Sequence, residues 1–160
     1  MHCTIKLVEG LAASQRRSVV FLVVDEREAS AAAVFDSMRS ADGKRSNQQR
    51  TLLARFDFWI ANGAQDNWFH GWPNDATYAN CFTFKWKHRN VDQRFYGFVC
   101  NPMPKTNPRF QLCVLHSHAP KSQQHTESRY LDLAVRLSKT IEVWAAIRQQ
   151  FPDEEQKEKL

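Results

Sequence analysis

The period of hydrophobic positions changes several times along this chain, and each change marks an element. Residues 1–17 are mixed, with a basic patch at Gln15-Arg16-Arg17, and then SVVFLVV (Ser18–Val24) forms a short β-branched run fit for a buried strand, ended by Asp25 and Glu26. Ser30 is placed to cap a short helix through Met38, with Ala31, Val34, Phe35 and Met38 at helical spacing and Asp42-Gly43 as its break. From Ser46 to Ala61, Leu52, Leu53, Phe56, Trp59 and Ile60 repeat at three and four, and Asn62-Gly63 supplies a left-handed terminator.

Residues 64–80 are rich in turn formers and aromatics, as expected of a folded surface loop or a small functional insertion. Strict alternation follows. Phe82, Phe84 and Trp86 interleave with Thr83, Lys85 and Lys87, predicting a strand with one apolar and one basic face. A turn over His88–Asp92 leads to a return strand at Gln93–Val99, with Arg94 and Tyr96 on one side and Phe95 and Val99 on the other. The prolines of Asn101–Pro108 stop the ladder, and Phe110–His116 resumes it. A last helix is predicted from Thr126 to Gln150, lined by Tyr130, Ala134, Leu137, Ile141 and Trp144. The order strand, helix, helix, three strands, helix predicts an α+β fold: a two-layer antiparallel sheet with helices packed on one face. Residues 1–160 are read as one domain, with its core at about 18–150 and 1–17 and 151–160 outside it.

Composition sharpens this picture at one place. The chain of 160 residues has a formal charge of +5, a weak argument for an anionic partner by itself. Between Cys81 and Thr126, however, seven Lys or Arg face one acid, Asp92. The four cysteines lie far apart without a CxxC pair and read as reduced thiols packed as small hydrophobes, which suits a cytoplasmic protein. The longest apolar run, Val19–Val24, is far short of the ~20 residues of a membrane span, so no membrane partner is expected.

The basic segment closes on LHSHAPKSQQH (Leu115–His125). Lys85 and Lys87, two apart on a strand, point the same way and form a phosphate cradle with Arg94 opposite, whose planar fork grips two phosphate oxygens. His116 and His118 share a face if the strand stays extended, and imidazoles serve as acid or base near neutral pH. His88 and His125 are further candidates, and Tyr96 is suited to stacking on a base or donating a proton. A zinc site on the HxH of His116 and His118 with His125 is a competing reading, without a cysteine at ligand spacing.

From Val19 to about Leu137 the chain resembles the RelE/HigB-type toxins and their phage-borne relatives. The resemblance is carried by Asn62-Gly63, the strand CFTFKWK, RFYGF at Arg94–Phe98, and CVLHSHAPKSQQHT. Paired lysines of the family's final turn are reduced here to Pro120-Lys121, and Thr83 and Lys85 stand where the family carries an acid. Such toxins are mostly ribosome-dependent messenger RNA nucleases, so the resemblance implies cleavage by the ribose 2′-hydroxyl without metal or other cofactor, and an antitoxin protein as partner. That reaction needs a base, a cation at the crowded phosphate and an acid. Arg94 is the expected charge stabiliser, with His116, His118 and Tyr96 as proton-transfer candidates, and Lys85, Lys87, His88, Arg89, Lys121 and His125 holding RNA. Two alternatives stand beside it: a non-catalytic phage-derived or ParE-like protein-binding module, and a small metal-dependent enzyme using the histidines.

Overall fold

The computed structural model describes residues 1–11, 14–25, 30–63, 68–120 and 124–153, with backbone only at 124–126. The chain is α+β, as its pattern predicts. Six strands form one sheet in the order β1-β2-β6-β5-β4-β3, comprising β1 (Cys3–Leu7), β2 (Arg17–Val24), β3 (Phe69–Gly71), β4 (Cys81–His88), β5 (Val91–Cys100) and β6 (Gln111–Pro120). The sheet is mixed rather than antiparallel throughout, because β2 and β6 run parallel from Arg17↔Gln111 to Phe21↔Leu115. Among the described helices are α1 (Ala31–Asp36), α2 (Asn47–Asn62), α3 (Gln124–Leu137) and α4 (Ile141–Gln150).

Local chemistry sets several boundaries where the pattern places them. Ser30 Oγ accepts the Ala33 N–H at 3.1 Å, and Ser46 Oγ accepts that of Gln49 at 3.1 Å, so each serine satisfies a donor that the first helical turn leaves unpaired. Gly63 ends α2 at φ 81°, its N–H reaching Trp59 O at 2.8 Å. The β4–β5 hairpin closes on two residues, Arg89 (φ 49°) and Asn90 (φ 62°), a turn whose twist matches that of the strands.

The helices do not all lie on one face. Val19, Phe21, Phe84, Trp86, Phe95, Cys113 and Leu115 pack with Phe35 of α1 and with Leu52, Phe56 and Trp59 of α2. On the opposite face Val20, Leu22, Phe98, Leu112 and Val114 pack with Leu137, Val143 and Ile147, while Cys81, Tyr96 and Ala119 meet Leu131 and Ala134 of α3. The two-layer expectation is therefore corrected to a sheet covered on both sides. The buried run in β2 requires this, since both of its faces are apolar. The first core is dominated by edge-to-face rings, with Phe56–Phe84 centroids 4.8 Å apart at 80° and Phe21–Phe95 5.9 Å apart at 85°.

Other boundaries move. Strand β3 falls inside the expected 64–80 loop, and β1 pairs with β2 from Cys3↔Val24 to Leu7↔Val20 within a segment expected to lie outside the core. The single C-terminal helix breaks at residues 138–140. There Ser138 Oγ donates to Val135 O at 2.7 Å, Thr140 Oγ1 to Arg136 O at 2.8 Å and the Trp144 indole to Ser138 O at 2.6 Å, so side chains replace the helical bonds that a continuous helix would need.

Strand β6 extends four residues past its expected end and carries a bulge. Tyr96 pairs with Ser117 but Gly97 pairs with Leu115, leaving His116 as the extra residue. The bulge sits where β2 parts from β6, and Ser30, the cap of α1, bridges to Ser117 instead. A Cβ at Gly97 would stand 1.9 Å from Val114 O, inside any permissible contact. We expect Gly97→Ala to cost at least the ~1–3 kcal/mol of an overpacked core. A denaturant midpoint equal to that of the unaltered protein would show that this close approach is not needed.

Candidate functional site

The basic face of the hairpin divides into two groups with different partners. Lys85 and Arg94 sit opposite each other across β4 and β5, and Lys87 sits opposite Asp92. By alternation these side chains fall on the face of Cys81 and Tyr96, the one covered by α3. Arg94 is spent there. Its guanidinium pairs with Glu127 of α3, with side chains only 11% and 29% exposed. Tyr96 is 2% exposed and stacks on Tyr130 with centroids 5.0 Å apart at 16°. Burial first, then the Glu127 charge, push its phenol up to about 12, against a smaller lowering by Arg94. A ring so enclosed is placed neither to stack on an incoming base nor to give up a proton near neutral pH, contrary to the sequence expectation for Tyr96.

The imidazoles lie elsewhere. His118 pairs with Phe95 and packs, partly exposed, against Trp86 and Phe95 at 5.8 and 5.9 Å, on the side of the sheet that α1 and α2 cover. Its Nε2 meets Gln93 Oε1 at 2.7 Å. Burial lowers its pKa, favouring the neutral ring. His116 is 6% exposed, and its Nδ1 contacts Ser117 Oγ at 2.5 Å. The shared face expected for His116 and His118 depends on unbroken alternation, which the bulge interrupts between them. The converging pocket of Arg94 with His118 is thus corrected: these two groups flank β5 from opposite sides. Lys121 lies outside the described residues, as does the side chain of His125. His88 and Arg89 stand at the hairpin turn, Arg89 exposed.

What the hairpin does assemble is a cleft of about 310 Å³ at its outer end, lined by Arg55, Trp68, Lys85, Trp86, Lys87, Asp92, Gln93 and Arg94. Strand β3 pairs with residues 82–84 of β4, and among the described residues no strand continues along this edge beyond Lys85. Arg55 reaches over from α2, donates through Nη1 to Lys85 O and lies 5.2 Å from the Trp68 ring centroid. Burial lowers its pKa, a sign of a cation held partly away from water. Lys87 and Asp92 are 3.7 Å apart with side chains 64% and 53% exposed, a loose pair that water screens. Trp86 is fixed from below, its indole N–H donating to Gln48 Oε1 at 2.7 Å.

Arg55 is not singled out by its sequence position, and Trp68, with Trp72 and Tyr78, is expected from the sequence to pack its loop onto the core rather than to stack on a ligand. Arg55 borders the apolar stripe of α2 between Leu52 and Phe56, a place where a long cation covers core and reaches an adjoining surface. That border position was the available signal. Trp72 and Tyr78, also in the aromatic segment, serve packing and anchoring: Trp72 meets His70 edge-on at 4.5 Å, and the Tyr78 hydroxyl donates to Asp132 at 2.7 Å.

Among the described residues no three His, Cys, Asp or Glu side chains gather as a metal site, and His116 and His118 are separated as above. None of the four cysteines forms a disulfide, and burial pushes the Cys81 and Cys100 thiols up to about 11 and about 12. No helix among the described residues is long and apolar enough to cross a membrane. No protein-family model, curated protein or solved structure matches this chain.

The partly buried Arg94–Glu127 pair should behave as a structural unit. Arg94→Met and Glu127→Gln are each expected to cost about 1–3 kcal/mol, less than the ~3–5 for breaking a fully buried pair, with a coupling above about 1 kcal/mol in the double variant. Additive losses in a double-mutant cycle would show that the contact carries no stability. His118 supplies a pH test. Its folded pKa is depressed, so the unfolded chain binds the proton first as pH falls below the ordinary ~6.5, and its contribution, complete above that pH, is lost on descent through the folded value. His118→Gln should therefore flatten the fall in melting temperature between pH 7.5 and 5.5, and an unchanged slope would contradict the assignment.

Proposed function

We propose that this protein binds RNA through the outer end of the β4–β5 hairpin, and that it does so as a binding module. The observation that carries this reading is that Arg55, Lys85, Lys87 and Trp68 line one cleft in which Asp92 is the only carboxylate among the described residues. Three cations at an open strand end attract a phosphate backbone, and an indole beside them suits a nucleic acid better than a simple anion. Exposed Arg89 at the turn extends the field. The anion-binding half of the toxin-like reading is retained. Its cleavage half is not favoured, because Arg94 is neutralised by Glu127 and His118 sits across the sheet. The proposed meeting place with RNA is the cytoplasm, where the four separated thiols would stay reduced.

Fluorescence anisotropy with a labelled single-stranded RNA tests the reading. Binding should weaken roughly twentyfold between 50 and 200 mM salt if about three phosphates are neutralised. Lys85→Glu with Lys87→Glu should weaken it at least tenfold, with the melting temperature preserved. Salt-insensitive binding, or binding indifferent to the double charge reversal, would exclude this surface. Cleavage of the bound strand that disappears in His118→Ala would instead restore the nuclease reading.

A further inference from the structure

Trp68 is 36% exposed, and no Phe, Tyr or other Trp among the described residues is as open. Half-exposed indoles are common on surfaces, but this one is rigidly held. Phe58 meets it edge-on at 5.3 Å and 81°, Phe69 at 6.3 Å and 86°, and its carbonyl accepts the Lys85 N–H at 2.8 Å. That last bond ties the ring's backbone to the strand that carries both lysines. Arg55 completes the arrangement, with its guanidinium against the indole and one N–H on Lys85 O. The indole and the Arg55 guanidinium are thus fixed relative to each other and to the backbone of β4 before any ligand arrives, so for these two groups little side-chain entropy remains to be lost on binding, while the longer Lys87 side chain stays exposed.

The cleft's volume of about 310 Å³ lies at the small end of ligand pockets, enough for one nucleotide unit and too small for a paired helix. Asp92 on the wall is an acceptor suited to sugar hydroxyls, and the Gln93 amide, held at Oε1 by His118, adds a polar edge. His118 is therefore a positioning residue for Gln93.

Resting on the RNA-binding reading above, we propose that this cleft is a single-nucleotide subsite: an unpaired base stacks on Trp68 while its phosphates are held by Arg55, Lys85 and Lys87. A base must leave its pair to enter, so the protein takes single strands in preference to duplexes. Stacking of one base on an aromatic side chain is worth ~1–3 kcal/mol, which sets the size of the effect to be sought.

The test compares a labelled uridine decamer with an abasic ribose-phosphate decamer of the same charge and with a duplex of the same length. The unaltered protein should bind the uridine strand about tenfold more tightly than the abasic strand, and more tightly than the duplex. Trp68→Leu, which keeps an apolar side chain beside Phe58 but has no ring, should bring the two single strands to equal affinity. Trp68→Phe should retain part of the preference, which separates stacking from a merely structural role. Equal binding of both single strands by the unaltered protein overturns the subsite and leaves the RNA-binding reading standing. Loss of the preference to the same extent in the Leu and Phe variants overturns the subsite as well. Failure to bind either strand, or tighter binding of an acidic peptide of equal charge, overturns both.

Discussion

The close passage of β6 over Gly97 governs what this molecule can do with its charged residues. No side chain fits between Gly97 and Val114 O, and two residues after Val114 β6 inserts His116 outside the β5 register. Before the bulge the odd positions Cys113 and Leu115 face α1 and α2; after it His118 faces them and Ala119 turns toward α3. A single inserted residue thus reverses the sidedness of the strand end that carries the histidines. It sends the imidazole of His118 to one side of the sheet and leaves the Arg94 guanidinium on the other.

Cover on both faces adds a second constraint. A sheet with helices over only one face offers a broad surface to a ligand, whereas here α3 and α4 occupy the face that the lysine alternation seemed to leave open. The surface available to a large anion is consequently the outer end of the hairpin, past the three residues of β3. Arg94, close to that end, is drawn inward by Glu127, and the cationic role passes to Arg55 from α2. Removing Arg94 therefore tests stability more than recognition.

Much of the fold was legible because the signals were local. Ser30 and Ser46 cap the helices they precede, Gly63 ends α2, and CFTFKWK and RFYGF pair as a hairpin. The long-range pairings were not legible. Nothing in SVVFLVV distinguishes a parallel from an antiparallel neighbour, and CTIKL is too short and too mixed to announce an edge strand. The expectation of one covered face came from Lys85 and Lys87, yet in the same strand Cys81 and Thr83, on the supposedly polar face, are buried. Only the end of β4 is amphipathic, and its pattern was extended to the whole sheet. The bulge was invisible for a related reason: His116, Ser117 and His118 read equally well as regular strand, and the demand for an irregularity comes from Gly97 on the neighbouring strand.

The same geometry underlies the proposal that the protein holds RNA rather than cutting it. In-line cleavage requires a base and an acid on either side of one phosphate, each within hydrogen-bond reach and with a cation between them. Here the imidazole of His118 packs against Trp86 and Phe95 on one side of the sheet and the phenol of Tyr96 is enclosed against Tyr130 on the other, so the two do not flank a common phosphate. Binding asks less: cations near an open edge, a fixed ring and a cleft of suitable size. Those requirements are met at the hairpin end by groups from α2, β4 and the residue preceding β3, none of which depends on the register beyond the bulge. The inserted residue that separates Arg94 from His118 therefore leaves the proposed recognition cleft intact.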